Sequence, residues 1–263
     1  MTEFKTVQQK ILFWYALHKR ELPWRQTTDP YKILVSEVML QQTQVDRVIS
    51  FYERWTQDFP DFTTLARASP EEVLAHWSGL GYNQRALRLK ELAKKVCKEH
   101  EGMLPQDESS LLSLPGIGRY TARAILSFAW NKEVAVIDTN IRRVLISELK
   151  LKEDVPLKKL EIMALQLIPR GKSREWHNAL MDYGATVLTS SSTGIKPLSK
   201  QSSFKGSDRE VRGWIVKTLV KGKIITLQDV QRQFPKKDVR LILDKMRQER
   251  IIAREGSRIR IYG

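Results

Sequence analysis

Over its first 190 residues the chain places apolar positions at helical spacing, one segment after another, with short polar breaks between them. Val73, Leu74 and Trp77 follow Ser69-Pro70-Glu71-Glu72. There a serine with glutamate three residues later forms a capping box, and proline takes the first helical position. Gly79-Leu80-Gly81 closes that helix. Asp29-Pro30 opens an earlier one that runs to about Gln42. Between Arg85 and His100, residues Leu87, Leu89, Leu92, Ala93 and Val96 line one face. The same spacing predicts helices over 109–114 (closed by Pro115-Gly116), 119–130, 140–149, 157–168 and 174–188. No stretch before residue 190 alternates with period two, so the pattern predicts an all-α domain over residues 1–189.

Residues 190–206 break the pattern with Ser, Thr, Gly and Pro and read as a linker. A second domain follows over 207–263. Asp208 caps a helix carrying Val211, Ile215, Leu219 and Val220, and Thr226-Leu-Gln-Asp229 starts a second, short helix. Residues 236–249 form a third, with Val239, Leu241, Ile242, Leu243 and Met246 inward. Residues 251–261 read as a hairpin turning at Gly256, with Arg and Ile alternating on its second strand. Three helices and a terminal hairpin give a small winged-helix-like (α+β) domain. Its basic third helix and wing suit DNA; the same elements also serve as a protein-interaction module.

Composition sharpens this picture. The chain has 263 residues, 41 % of them hydrophobic, and seven tryptophans, which is a packed protein and not a disordered one. Its net charge is +15, and residues 191–263 hold 18 Lys and Arg against 7 Asp and Glu. So basic a C-terminal region suggests a polyanion, since each phosphate neutralised releases counterions; a solvated basic surface is the alternative. Cys97 is the only cysteine, so the chain contains no disulfide framework and no site built from several thiolates. Charged residues interleave with apolar ones through the first 25 positions, and no stretch reaches the roughly 18 apolar residues of a spanning helix. These features predict a cytoplasmic, nucleoid-associated protein with no membrane partner, and a monomer by default.

The most informative string is Leu114-Pro-Gly-Ile-Gly-Arg-Tyr-Thr121. Two glycines two apart, between a short helix and a longer one, make a tight turn whose amides face outward beside a helix N-terminus, a ready site for phosphate. About twenty residues later comes Val136-Ile-Asp-Thr-Asn-Ile-Arg-Arg-Val144. With Leu22-Pro-Trp-Arg25, Asp29-Pro-Tyr31, Ser36-Glu-Val-Met-Leu-Gln-Gln-Thr-Gln-Val45 and Gly79-Leu-Gly-Tyr82, these strings resemble the helix-hairpin-helix DNA glycosylases, and within them the MutY-type adenine glycosylases. The resemblance runs from about Leu22 to Thr189. It implies a two-lobed helical fold with the active site in the cleft between lobes, and extrusion of the target nucleotide from double-stranded DNA holding a mispair or damaged base.

Cleaving a purine glycosidic bond needs a proton donor for the leaving base and a negative charge near the developing oxocarbenium ion. Two carboxylates in different environments divide that work in glycoside hydrolysis. Glu37 lies among Val35, Val38, Met39 and Leu40, surroundings expected to keep its proton, while Asp138 starts a helix and is expected to stay anionic. Taken alone, the residues would also fit a surface carboxylate and a plain helix cap. The resemblance makes Glu37 the acid and Asp138 the group that stabilises the C1′ cation, with Asn140 in support. Position 120, where strand-cleaving relatives carry lysine, is Tyr120, which cannot form an imine, so a glycosylase without efficient lyase activity is expected.

The resemblance further places Trp24, Arg25, Leu40, Val45, Asn178 and Met181 around the base, and Gln42, Thr43, Leu80 and Tyr82 against the opposite base, with Leu80 or Tyr82 as the wedge. Gly116, Gly118, Arg119, Thr121, Arg142 and Arg143, and in the second domain Lys236, Lys237, Arg240 and Arg258, are expected on the DNA backbone. Three departures stand out. Residues 188–197 lack the four cysteines that hold a 4Fe–4S cluster in most relatives, so no cluster is expected; the resemblance also implies that an alkali-metal ion can bind hairpin carbonyls near Gly116 and Gly118, ligands that leave no sequence signature. The winged-helix-like unit stands where relatives carry a Nudix-like domain. Asn178 replaces the usual Glu or Gln, which keeps a thymine or uracil glycosylase open beside the adenine enzyme. A non-catalytic DNA-binding protein is the reading of another class, and intact Glu37 and Asp138 oppose it.

Overall fold

A computed structural model describes residues 3–197 and 202–263. Its helices are α1 (Glu3–His18), α2 (Pro30–Leu40), α3 (Val45–Asp58), α4 (Phe62–Arg67), α5 (Pro70–Trp77), α6 (Gln84–Glu99), α7 (Glu108–Leu112), α8 (Arg119–Trp130), α9 (Thr139–Glu148), α10 (Leu157–Gln166), α11 (Ser173–Thr186) and the short α12 (Ser190–Thr193). A 3-10 turn spans Pro23–Arg25. Among the described residues no strand precedes Ile225, and no helix is long and apolar enough to cross a membrane. The local signals operate as the sequence suggests. Asp29 accepts the Tyr31 amide at 2.9 Å, and Ser69 and Glu72 complete their capping box. The predicted linker differs from expectation at its start: the Thr189 hydroxyl caps α12 and Gly194 ends it at φ 72°. Residues 198–201 of that linker lie outside the described residues.

Two compact units share these elements. The first comprises residues 1–34, 105–113 and 117–200. Its core packs Ile11 of α1 with Val144 and Leu145 of α9, Leu160 of α10, and Trp176, Ala179 and Leu180 of α11. Gly184 lets α11 and α9 approach closely: a Cβ built there would sit 2.7 Å from the Asn140 carbonyl oxygen. The second unit comprises residues 35–104, 114–116 and 201–263. Trp55 and Trp77 are fully buried in it and meet edge to face at 5.3 Å, with Phe59 4.9 Å from Trp55.

The C-terminal part of the second unit is the winged-helix-like arrangement. It runs α13 (Asp208–Leu219), β1 (Ile225–Thr226), α14 (Leu227–Gln233), α15 (Val239–Gln248), β2 (Ile252–Glu255) and β3 (Arg258–Ile261). The hairpin pairs Ile252 with Ile261, and β3 alternates exposed Arg258 and Arg260 with buried Ile259 and Ile261. Four details correct the sequence reading. Leu241, expected inward, is 48 % exposed. β1 adds a third strand, giving the antiparallel order β1-β3-β2, and two residues are too few to show alternation. Ser207, not Asp208, is the N-cap residue of α13. α15 begins at Val239, where the Asp238 carboxylate accepts the Leu241 amide, instead of at Lys236.

The Gly184 contact yields an expectation. Gly184→Ala should destabilise the protein by about 1–3 kcal/mol, because a well-packed site must shift to admit the methyl group. Thermal unfolding measures this, and an unchanged midpoint would show that α9 and α11 separate freely.

Candidate active site and nucleic-acid interface

Asp138 is the N-cap of α9, its carboxylate accepting the Ile141 amide at 2.7 Å and the Asn140 Nδ2 at 3.1 Å. Asn140 Oδ1 in turn accepts from Arg143 at 2.6 Å, and Arg143 donates onward to the carbonyls of Leu188 (2.6 Å) and Gly184 (3.2 Å). A relay of donors thus fixes the Asp138 carboxylate to α11 and to the segment after it. Burial pushes the Asp138 carboxyl above its ordinary range, although its amide and Asn140 donors and nearby Arg143 pull the other way. The anion expected at this position is therefore a costly one.

The stretch leading into Asp138 is held from the other side by His177, which is 1 % exposed. Its Nδ1 lies 2.8 Å from the Ser173 carbonyl, so that nitrogen carries the proton and Nε2 accepts the Val136 amide at 3.2 Å. Burial pushes the His177 pKa down to about 4, so the ring is neutral at physiological pH.

Trp24, Arg25, Asn178 and Met181 belong to the first unit. Trp24 is buried, and Arg25 makes a two-pronged ion pair with the fully buried Asp182 at 2.6 and 2.8 Å. Arg20 Nε adds a third bond at 2.6 Å. Burial alone would raise the Asp182 carboxyl, but Arg25 and Arg20 hold it below its usual range. Arg25 thus ties the Leu22-Pro-Trp-Arg25 turn to α11 beside Asn178 and Met181.

In the second unit, Glu37 is 6 % exposed within α2, with buried Val35, Val38 and Met39 around it in the helix. Arg85, in the first turn of α6, reaches the end of that helix. Its Nη1 donates to the carbonyls of Val38 (2.8 Å), Met39 (3.0 Å) and Gln41 (2.5 Å). Its Nη2 donates to Thr43 Oγ1 (3.2 Å) and the Gly81 carbonyl (3.0 Å). Burial pushes the Arg85 pKa down to about 10, and it remains a cation. The guanidinium therefore ties Gln41 and Thr43 to Gly81, and the Tyr82 hydroxyl donates to Gln42 Oε1 at 3.3 Å. Of the two wedge candidates, Leu80 is 6 % exposed and Tyr82 36 %, so Tyr82 is the one presented outward. Leu40 and Val45 flank this segment, both half-buried.

The hairpin turns at Gly116 (φ 83°), where glycine is needed, and Gly118 is the N-cap of α8, with half-buried Tyr120 in the helix's first turn. As a glycine, Gly118 brings no side chain to cap the first amides of α8. Among the described residues no cluster of three or more His, Cys, Asp or Glu is placed to hold a metal ion.

Residues 35–170 match the HhH-GPD superfamily of base excision DNA repair proteins. The chain belongs to that superfamily. The chain is 39 % identical over 231 residues to an adenine DNA glycosylase of Mycolicibacterium smegmatis, covering 80 % of this chain and 79 % of the relative. It is 40 % identical over 219 residues to an adenine DNA glycosylase of Mus musculus, covering 78 % of this chain and 42 % of that one. Among solved structures it resembles a thermostable thymine-DNA glycosylase (TM-score 0.66, 32 % identity, 71 % of this chain and 88 % of that one). It also shares the fold of endonuclease III in a non-covalent DNA complex (TM-score 0.64, 18 % identity, 75 % of this chain and 91 % of that one).

Within this HhH-GPD protein several residues expected on DNA lie elsewhere. Arg142 and Arg143 are buried at 9 % and 6 % exposure, and their guanidinium groups bind carbonyls, Arg142 that of Glu153 at 2.6 Å. They hold α9 in place instead of meeting phosphate, which corrects the expectation. The Thr121 side chain is also buried. Arg119 is exposed but paired with Glu161 at 3.0 Å, and Lys237 with Asp208 at 3.0 Å. Lys236, Arg240 and Arg258 are exposed on the C-terminal module.

Arg85, His177 and Asp182 escaped the sequence reading, yet two left traces. A cation in the first turn of α6 opposes the helix dipole, which signals an acceptor elsewhere. An aspartate between Leu180 and Tyr183 on the inward face of α11 requires a buried partner.

The His177 geometry sets a pH dependence. Its folded pKa lies below the unfolded value of about 6.5, so its contribution is complete above that pH and is lost as pH falls toward 4. Unfolding free energy should drop by roughly 3 kcal/mol across that window relative to His177→Gln. Equal slopes for the two proteins in denaturant titrations would refute the buried neutral imidazole.

Proposed function

We propose that this chain is a monofunctional DNA glycosylase of base excision repair, releasing adenine mispaired with 8-oxoguanine or guanine after flipping it from the duplex. The observation that carries this reading is the buried Glu37 in α2 of a chain that resembles named adenine DNA glycosylases over about four fifths of its length. Glu37 protonates the leaving base as the C1′–N9 bond breaks and its electron pair passes to the base. The cation left on the sugar is stabilised by Asp138. A carboxylate whose burial makes its charge costly gains most when a positive charge forms beside it, so the interaction is larger in the transition state than before it. Water then adds to C1′ and gives its proton to a carboxylate, leaving an abasic site. Tyr120 offers no amine for strand cleavage.

The hairpin at Gly116 and Gly118 and the exposed Lys236, Arg240 and Arg258 supply the phosphate contacts in this reading. It includes no iron–sulfur cluster. Residues 188–197 are tied by the Arg143 bond to Leu188, by Ser192 Oγ to the Val187 carbonyl (3.0 Å) and by the Lys196 amide to Glu153 (3.1 Å). A thymine-releasing enzyme is the second reading, favoured by the 32 % identity to the thymine-DNA glycosylase structure.

Single-turnover base release from duplexes holding A opposite 8-oxoguanine, A opposite G, T opposite G and U opposite G separates the two. Adenine should be released and thymine retained; the reverse moves the assignment to the second reading. Glu37→Gln should slow release by at least about a hundredfold with duplex affinity nearly intact, the size of effect that general acid catalysis supplies. Comparable rates would remove Glu37 from the role.

Replacing Lys236, Arg240 and Arg258 together with alanine should flatten the slope of log K against log salt by about 3, since each phosphate contact contributes close to one unit. An unchanged slope would show that the C-terminal module does not touch DNA.

A further inference from the structure

Tyr82 is held by more than its own loop. Arg209, in the first turn of α13, donates to the Tyr82 hydroxyl at 3.0 Å, and its guanidinium carbon lies 5.3 Å from the centre of the ring. Arg85 lies 5.5 Å from the same ring. Arg209 is itself fixed by a bond to the Ser202 carbonyl at 2.6 Å. The two residues bridged by the Tyr82 hydroxyl, Tyr82 and Gln42, both sit in the left-handed region, at φ 51° and 59°. For non-glycine residues that conformation is costly, persists only where neighbours over-determine it, and gathers at binding sites. Beside them opens a cleft of about 630 Å³, lined by Gln42, Thr43 and Leu80 from the lobe and by Phe204, Trp214 and Lys217 from the C-terminal module.

We propose that Arg209 is a positioning residue that holds Tyr82 in its outward pose, so that the C-terminal module sets which base the enzyme accepts opposite its target. The inference rests on the glycosylase reading for the identity of that target. Arg209 touches no reacting atom. It restricts the wedge tyrosine through one hydrogen bond and one cation–π contact, and the module acts on specificity as well as on charge. A phosphate contact would behave differently: its loss weakens binding to every duplex alike and lowers the salt slope.

The test is equilibrium binding of the full chain to duplexes carrying 2′-fluoro-deoxyadenosine, whose glycosidic bond resists cleavage, opposite 8-oxoguanine, guanine or cytosine. Arg209→Ala should reduce the ratio of affinities for 8-oxoguanine over cytosine by about tenfold, the combined scale of a hydrogen bond and a cation–π contact. Arg209→Lys keeps the charge but not the planar group, and should lose most of the same ratio with the salt slope unchanged. In a Tyr82→Leu background Arg209→Ala should change the ratio no further. A ratio within twofold of the parent in both variants, or a uniform loss across the three duplexes, overturns the proposal. So does a parent protein that binds all three equally. Discriminating binding without adenine release would instead defeat the glycosylase reading and leave the role of Arg209 standing.

Discussion

One guanidinium organises the junction between α2 and the Tyr82 loop. Arg85 binds three carbonyls at the end of α2, the hydroxyl of Thr43 and the carbonyl of Gly81. The carbonyl end of a helix is its negative pole, so a cation there replaces the donors that the next turn would have supplied. The helix that carries Glu37 is thereby stopped at Leu40, and the Gln42-Thr43 turn and the Gly79–Tyr82 loop are fixed to its end. Without that cation, several buried carbonyls would lack donors, each costing about 1–3 kcal/mol. Glu37 and the residues proposed to meet the opposite base are thus placed by a side chain that belongs to neither group.

The Asp138 side is built by a different device. Neutral groups and carbonyls hold it: the Ile141 amide, Asn140, and through Asn140 the guanidinium of Arg143. The nearest positive charge is thus kept one residue away from the carboxylate. In the role proposed for Asp138, a direct ion pair would satisfy the anion in the resting enzyme and blunt its response to a developing cation. Asp182, by contrast, is fully paired with Arg25 and Arg20, which suits a structural role.

Much of the helical domain was legible because its signals are local. The Ser69 capping box, the Asp29-Pro30 start and the Thr226–Asp229 box are written in four residues or fewer and form as expected. The resemblance in the hairpin and the Glu37 and Asp138 segments was likewise carried by short strings. What stayed hidden depends on partners distant in sequence. Arg142 and Arg143 looked like phosphate ligands because nothing in their neighbourhood shows that Glu153, Gly184 and Leu188 present carbonyls to them. β1 is too short to announce itself and exists only because Ile225 pairs with Ile259. Arg209 meets Tyr82 across 127 residues of chain, and no spacing rule spans that distance.

The discontinuity of the second unit bears on how the protein is made. Residues 35–104 leave the ribosome well before residues 201–263, which belong to the same compact unit, and residues 105–113 and 117–200 of the first unit are synthesised between them. Folding that proceeds from the N-terminus can order α2, α5 and α6 early, with Arg85 already in reach of its carbonyls. The Tyr82 hydroxyl gains its bond from Arg209 only after that residue is translated, and closing so long a separation is slow relative to local helix formation. A nascent chain therefore holds the proposed acid, Glu37, before the proposed reader of the opposite strand is finished.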